Sequence, residues 1–491
     1  MTMNTLTRRS FLKTSAAAAG ASLVAAALPT TTRAAPVGAN GAIRVAIIGL
    51  GTKGRGHLKQ LSGRKDVRVV AICDLDQQAI ARAVKEVEEK LPAPFTCTDA
   101  RDIMSRADVD AVFIATGNHW HALQAVWGCQ AGKDVYVEKP MTHTVWEGRK
   151  VIEAAQKYGR IVQVGTQYAS EQGLAEGIRY IRSGELGKLK HIHAVYYGGR
   201  GAIARRDPWY PDALDYNLFC GPTPMVPLER EKLHYDWHWF WATGNGEIGN
   251  NGVHLLTAAL RFIGADAVPR RVLGFGGRFG RNDAADTPNT QIAIYDYDVP
   301  VIYEGRALPA KPGMMMMDQV NGIRTGIVAH CEGGYISGLI GCAAYDPAGK
   351  VIKKFVGDGG RGHLENFLNT VRNRRAAELA APATIGHVSA ALCHYGNISL
   401  RVGEAADPAA IARAVESVPA AAQISRSMQE HLNVHGIDLA KQRGTLGPWL
   451  ELDPATDDVA QVSSRDEAAL KRARYLVHEA QRPPFVIPEK V

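Results

Sequence analysis

Three glycines, Gly49, Gly51 and Gly54, follow an apolar run of strand type over residues 43–48 and precede His57-Leu-Lys-Gln-Leu61, which suits a helix. The spacing G-x-G-x-x-G serves phosphate binding. Gly49 permits a tight turn, Gly51 lets the main chain approach a pyrophosphate, and Gly54 lets the helix lie close to the strand. The helix start, with Thr52 and Lys53, offers free N–H groups to the phosphates. A second strand-like run, Val67–Cys73, ends at Asp74, twenty residues past Gly54. A carboxylate there can hold an adenosine ribose 2′-hydroxyl. Strand, turn, helix, strand and acid in that order point to a dinucleotide site.

The elements that must position these residues alternate between strand and helix patterns from Ile43 to Val164. Such alternation implies a parallel sheet covered on both faces. Polar residues gather just beyond the strand ends. Thr116, Asn118, His119 and His121 follow Ala111–Ala115, ahead of a helix expected at 122–130. Glu138-Lys139-Pro140 follows Asp134–Val137, and Gln167-Tyr168 follows Ile161–Val164. Ligands of open parallel sheets bind at that edge. The expected cofactor contacts are therefore Gly49, Gly51, Thr52, Lys53, Gly54, Asp74, Thr116, Asn118, His121, Glu138, Lys139 and Gln167.

A second focus of chemistry runs from Gly244 to Phe262. Val253, Leu256, Leu260 and Ile263 recur at helical spacing. Asn250 and His254, four apart, are expected to face one pocket. A neutral imidazole at His254 can accept a proton at neutral pH. Just before it, Leu233–Trp241 is strongly aromatic in a chain with only 7% aromatic residues. Sugar rings present C–H faces that stack on aromatic rings. This stretch, including Tyr235, Trp237, His238 and Trp241, with Tyr168, Tyr196, Tyr197, Trp209 and Tyr210, is the candidate substrate wall. Met314–Met317 reads as a deformable contact surface.

The glycine motif at 49–54, Asp74, Glu138-Lys139-Pro140 and the G-x-H at Gly252–His254 together resemble the Gfo/Idh/MocA oxidoreductases, which include glucose-fructose oxidoreductase and inositol dehydrogenase. The resemblance runs from about residue 43 to about residue 402. It implies an α/β protein: a Rossmann doubly wound parallel sheet, then an α+β domain with a large, mostly antiparallel open sheet. It implies NAD, with NADP as the alternative, held tightly, and a homo-oligomer, dimer or tetramer. Lys139 is then expected beside nicotinamide and substrate, often with a cis bond to Pro140, and Glu138 near the nicotinamide ribose. In that family the later segment reads D-x-G-x-H and completes a Lys-Asp-His set. Here Asn250 stands where the Asp would be. An Asn can orient an imidazole but supplies no charge, with Glu247 as the candidate replacement. The implied catalytic set is Lys139, His254 and Asn250. A secondary alcohol of a sugar, glycoside or cyclitol loses its proton to His254 as its hydride passes to the nicotinamide, and Lys139 donates to the oxygen. Two alternatives stay open. One is an NAD-dependent glycosidase that oxidises C3 transiently and eliminates across C2, with Tyr168, Tyr197 or His238 as the second base. The other is a non-catalytic sugar-binding protein that retains the nucleotide.

Residues 1–34 read as a twin-arginine export signal: Arg8-Arg9, an Ala-rich apolar run from Thr14 to Leu28, then small residues near Ala34. The apolar run is too short to span a bilayer. The expected location is periplasmic or otherwise exported, with the twin-arginine machinery as a partner. Of the formal charge of +8, four units (Arg8, Arg9, Lys13, Arg33) lie in that signal, leaving +4. No long Lys/Arg run occurs, so nucleic acid is not an expected partner. The seven cysteines are scattered without C-x-x-C, and no metal-ligand cluster or P-loop is present. The expected domains are residues 40–165 for the nucleotide, 166–403 for substrate and oligomerisation, and a C-terminal extension over 404–491. A helix near 388–402 is expected to pack back on the first domain. Pro-rich residues 482–488 are expected to lie extended across the body of the protein or across a neighbouring subunit.

Overall fold

Residues 41–90, 92–212 and 214–491 are described by the computed structural model; the export-signal reading of residues 1–34 lies outside them. Six short apolar runs make one parallel sheet: β1 (Ile43–Ile48), β2 (Val67–Cys73), β3 (Phe95–Cys97), β4 (Ala111–Ile114), β5 (Asp134–Val137) and β6 (Val162–Val164). Their spatial order is β3-β2-β1-β4-β5-β6. β4, β5 and β6 are buried at every position, because helices cover both faces. On one face lie α1 (Thr52–Ser62) and α2 (Gln77–Val87), whose Leu58, Leu61, Ala79 and Ala83 pack under β1 and β2. On the other lie α3 (Ala100–Met104), α4 (Asn118–Gln130) and α5 (Val145–Lys157). The strand order reverses between β1 and β4, which opens a crevice at their carboxyl ends.

α4 begins at Asn118, four residues before the expected start. No breaker separates Asn118 from Ala122, so the polar cluster forms the first helical turn. A capping box of Thr144 and Glu147 sets the start of α5.

The second sheet has twelve strands and is mostly antiparallel. Its central strand, β7 (Leu189–Tyr197), pairs in parallel with Val301–Arg306 and antiparallel with Thr325–Cys331. α6 (Val253–Ile263) packs on this sheet. So does α7 (Ala383–Arg401), which lies between the two sheets. Small residues allow both contacts. A Cβ at Gly274 would come 2.3 Å from the Gly396 carbonyl oxygen, and one at Gly148 of α5 would come 2.1 Å from the His387 ring. The stretch after residue 403 contributes strands to the same sheet: Leu450–Asp453 pairs with Arg271–Gly277 and with Asp458–Val462. The chain end lies over the Rossmann domain. Phe485, Ile487 and Val491 are buried there, with the Phe485 ring 5.2 Å from that of Trp120.

Candidate functional site

The crevice above β1 and β4 opens into a cleft of about 690 Å³. Its floor is the glycine turn. Gly49 has φ +88°, and a Cβ there would come 2.6 Å from the Ala115 carbonyl oxygen. A Cβ at Gly54 would come 1.7 Å from the Gly49 oxygen, so only glycine lets α1 start this close to β1. At Gly51 a Cβ would meet nothing within 4 Å. The space above it is open to the cleft, and the first turn of α1 brings Thr52 and Lys53 to its lining. First-turn N–H groups have no partner inside their helix, which suits a pyrophosphate. Asp74 stands at the end of β2 with one carboxylate oxygen on the Leu50 N–H (2.6 Å) and the other on the Asp76 N–H (2.9 Å). Burial raises its pKa. The carboxylate is thus fixed facing the cleft, where a ribose diol fits.

Among the described residues, two buried acceptors along the cleft lack partners, the Asn118 Oδ1 and the Glu138 Oε2. The Asn118 Nδ2 donates to the Asn245 Oδ1 (2.9 Å), and the other Glu138 oxygen lies 2.8 Å from the His57 Nε2. Burial alone would raise the Glu138 pKa, but the His57 hydrogen bond and the charges of His57, Lys53 and Lys139 outweigh it and hold the carboxyl at about 2. These free acceptors, the open floor and the strand-end acid fit a bound dinucleotide. Thr116 and Gln167 also line the cleft, with the Thr116 hydroxyl on Gln124. His121 lines it too, but its ring nitrogens lie 3.0 and 2.7 Å from the carbonyls of Thr116 and Pro140. It clamps the loops after β4 and β5 and has no free nitrogen for the cofactor.

Lys139 follows β5 and its bond to Pro140 is cis. Its Nζ donates to the Asn250 carbonyl (2.7 Å) and to the Asn250 Oδ1 (3.0 Å). Burial lowers its pKa to about 8, against the opposing pull of Glu138. At neutral pH it is mostly an ammonium. His254 lies on the same cleft, buried, with its ring edge-on to Tyr168 (centroids 5.0 Å apart) and its Nδ1 without a partner. Burial and then the Lys139 charge lower its pKa well below the usual value. It is a neutral imidazole.

Asn250 and His254 both line the cleft, as their spacing led us to expect. The Asn250 side chain accepts from Lys139, and among the described residues no hydrogen bond joins it to His254. Residues Ile248–Gly252 wind as a π-helical turn before α6. Two expected wall residues are corrected by the structure. Tyr197 is not on the cleft. Side chains alternate along a strand, and Tyr197 points to a buried cluster where its hydroxyl donates to Glu304 and the Arg306 guanidinium lies 4.7 Å from its ring centre. Trp241 also stands apart, with the Arg401 guanidinium 5.1 Å from its ring centre. Trp237 and His238 do line the cleft, stacked on each other at 3.6 Å. Burial holds His238 at about 3, so it too is neutral.

The sequence reading missed Arg200, whereas Tyr235 lies within the aromatic stretch 233–241 that it singled out. Both line the cleft, and Arg200 pairs with Glu247 (2.9 Å) with its guanidinium 5.0 Å from the Trp239 ring centre. The Gly-Gly-Arg-Gly run at 198–201 was the available signal. Of the Met314–Met317 run, Met315 is almost wholly exposed while Met317 is buried against Tyr197.

Residues 43–166 match the GFO_IDH_MocA family, described as an oxidoreductase family with an NAD-binding Rossmann fold. Among curated relatives, the chain is 32% identical over 216 residues to an alpha-N-acetylgalactosaminidase of Shewanella oneidensis, and equally to a glycosyl hydrolase family 109 protein of Shewanella putrefaciens. Each match covers 40% of this chain and 46% of the relative, so the chain spans less than half the length of those proteins. The WlbA dehydrogenase of Bordetella pertussis, solved with NADH and UDP-GlcNAcA, shares the fold with a TM-score of 0.54 at 16% identity, over 72% of this chain and 97% of that one.

Proposed function

We propose that this chain is a Gfo/Idh/MocA-type enzyme that oxidises a secondary alcohol of a sugar, glycoside or cyclitol with a tightly held NAD. The observation that carries the reading is the meeting of Lys139 and His254 on one cleft whose floor is an open glycine turn. When bound, NAD supplies a hydride acceptor. The chain supplies the rest. Lys139, held by Asn250, presents an ammonium to the substrate oxygen and favours alkoxide character. Neutral His254 takes the hydroxyl proton. Trp237 and the Tyr168 ring offer flat faces to the sugar, and Arg200 and Tyr235 line the cleft beside them. Burial of Lys139 and His254 limits water at the reacting carbon.

Glycoside cleavage through the same oxidation is the second reading. It is favoured by the names of the curated relatives. A second base is then needed for the acidified C2–H. Tyr168, edge-on to the His254 ring, and His238 on the same cleft are the candidates for it; Tyr197 is removed by its burial on Glu304. A nitrophenyl N-acetylgalactosaminide and a nitrophenyl glucoside, offered without added cofactor, separate the two. Release of nitrophenol over many turnovers supports cleavage. Stoichiometric reduction of the bound nucleotide with no nitrophenol supports simple oxidation.

Export through the twin-arginine pathway and a homo-oligomer are part of this proposal. Cell fractionation and light scattering test them. Full-length protein confined to the cytoplasm, or a monomer at working concentration, contradicts each in turn.

A further inference from the structure

Beside the cleft lies a second cavity of about 360 Å³. Arg200 and Tyr235 line both, and form the shared wall. Glu247 lines the second cavity and accepts from the side-chain amides of Asn250 and Asn251, which line the cleft. The second cavity therefore stands one side chain away from the Lys139–Asn250 pair.

Its charge is lopsided. Arg200, Lys232, Arg278, Arg281 and Arg306 line it, against Glu231, Asp236 and Glu247. Most of the arginines are answered. Arg200 pairs with Glu247 at 2.9 Å, Arg278 with Asp283, and Arg306 with Glu304 at 2.7 Å and Asp318 at 2.8 Å. Arg281 is different. Among the described residues no carboxylate forms an ion pair with it; its terminal nitrogen reaches only the Ala307 carbonyl, at 3.5 Å. Its Nε is shut off from solvent with no partner. Burial and the neighbouring Arg278 charge lower its pKa against the weaker pull of Asp283. A second orphan donor lines the same cavity: Tyr303 is fully buried and its hydroxyl has no partner among the described residues. A buried donor without an acceptor is costly, and two on one cavity wall mark a place that a ligand completes.

We propose that this cavity is an anion subsite for a carboxylate or sulfate carried by the substrate, with Arg281 as the charged contact and the Tyr303 hydroxyl as a second donor. The inference rests on the sugar-oxidising reading, which it narrows to acidic sugars and glycosides. The reacting carbinol lies at Lys139 and His254, and the acidic group passes the Arg200–Tyr235 wall.

The test uses the full chain loaded with NAD and four probes: methyl glucuronoside and methyl galacturonoside for a carboxylate, galactose 6-sulfate for a sulfate, and methyl galactoside as the neutral control. Binding is measured by calorimetry and nucleotide reduction by absorbance at 340 nm. The expected result is that at least one acidic probe binds about 10- to 100-fold tighter than the neutral one, the range for a charge-assisted hydrogen bond. That advantage is lost in Arg281→Gln, retained in Arg281→Lys, and reduced in Tyr303→Phe. Which acidic probe wins identifies the group. Competition by free glucuronate or sulfate on the unmodified protein gives the same answer without a variant. Equal binding of acidic and neutral probes, or an acidic preference unchanged in Arg281→Gln, overturns the subsite. Reduction of the nucleotide by neutral sugars alone overturns the subsite and leaves the oxidation reading standing. Arg281-dependent binding with no reduction by any probe leaves the subsite and removes the oxidation reading.

Discussion

Replacing Asn250 by Asp tests the role of Lys139 through its proton. The Asn250 Oδ1 lies 3.0 Å from the Lys139 Nζ, and an aspartate oxygen can take the same place. At an effective dielectric of about 20, a unit charge at that distance is worth about 5 kcal/mol. Desolvating the new carboxylate takes back several kcal/mol, which leaves a rise of about 1–3 pKa units, the usual effect of an opposite charge this close. Lys139 begins at about 8. Its ammonium is present below that value and lost above it, so kcat/KM for nucleotide reduction is expected to fall as pH rises through about 8. In Asn250→Asp that falling limb moves up to about 9–11, while the rate at pH 7 changes little. Profiles of the initial rate at 340 nm from pH 6 to 11 read both. A limb that stays in place in the variant refutes the assignment of Lys139 as the ammonium that meets the substrate oxygen.

Three other outcomes follow from the packing. Glu304→Gln leaves Arg306 and His193 without their buried carboxylate, and should cost about 3–5 kcal/mol in urea unfolding. Burial would raise the Glu304 pKa, but Arg306, then His193, hold it at about 2; its stabilisation is present above the ordinary carboxylate range and is lost as pH falls toward 2. Tyr197→Phe removes the bond to Glu304 and should lower stability by about 1–3 kcal/mol with no change in KM for the sugar; a rise in KM contradicts its place off the cleft. Gly54→Ala puts a methyl group 1.7 Å from the Gly49 oxygen, so the folded variant should lose bound nucleotide, measured by mass spectrometry of the denatured protein.

The parallel sheet was legible because its physics is local. A glycine triplet after an apolar strand, and an acid at the end of the next one, act within one βαβ unit: Gly49, Gly51 and Asp74 line one crevice, and Gly54 packs beneath it against the Gly49 carbonyl. Lys139 and His254, more than a hundred residues apart, could be paired only through the family resemblance. What failed was finer. Asn250 and His254 share the cleft as their spacing suggests, but the bond from Lys139 to Asn250 and the π turn that carries it are invisible to residue spacing. Tyr197 was chosen beside Tyr196 because neighbouring strand residues look alike in sequence, although they face opposite sides. Arg200 was missed because an arginine among glycines reads as loop. Arg281 and Tyr303 carry no sequence signal, since an unpaired donor is a property of packing.

The most direct test of the account is the absorbance at 340 nm when folded protein, loaded with one NAD per chain, is mixed with a panel of neutral and acidic sugars. The account predicts that at least one sugar raises the absorbance toward one equivalent of reduced nucleotide, and that the rise disappears in Lys139→Met. No reduction by any sugar while the nucleotide stays bound, or undiminished reduction in Lys139→Met, contradicts it.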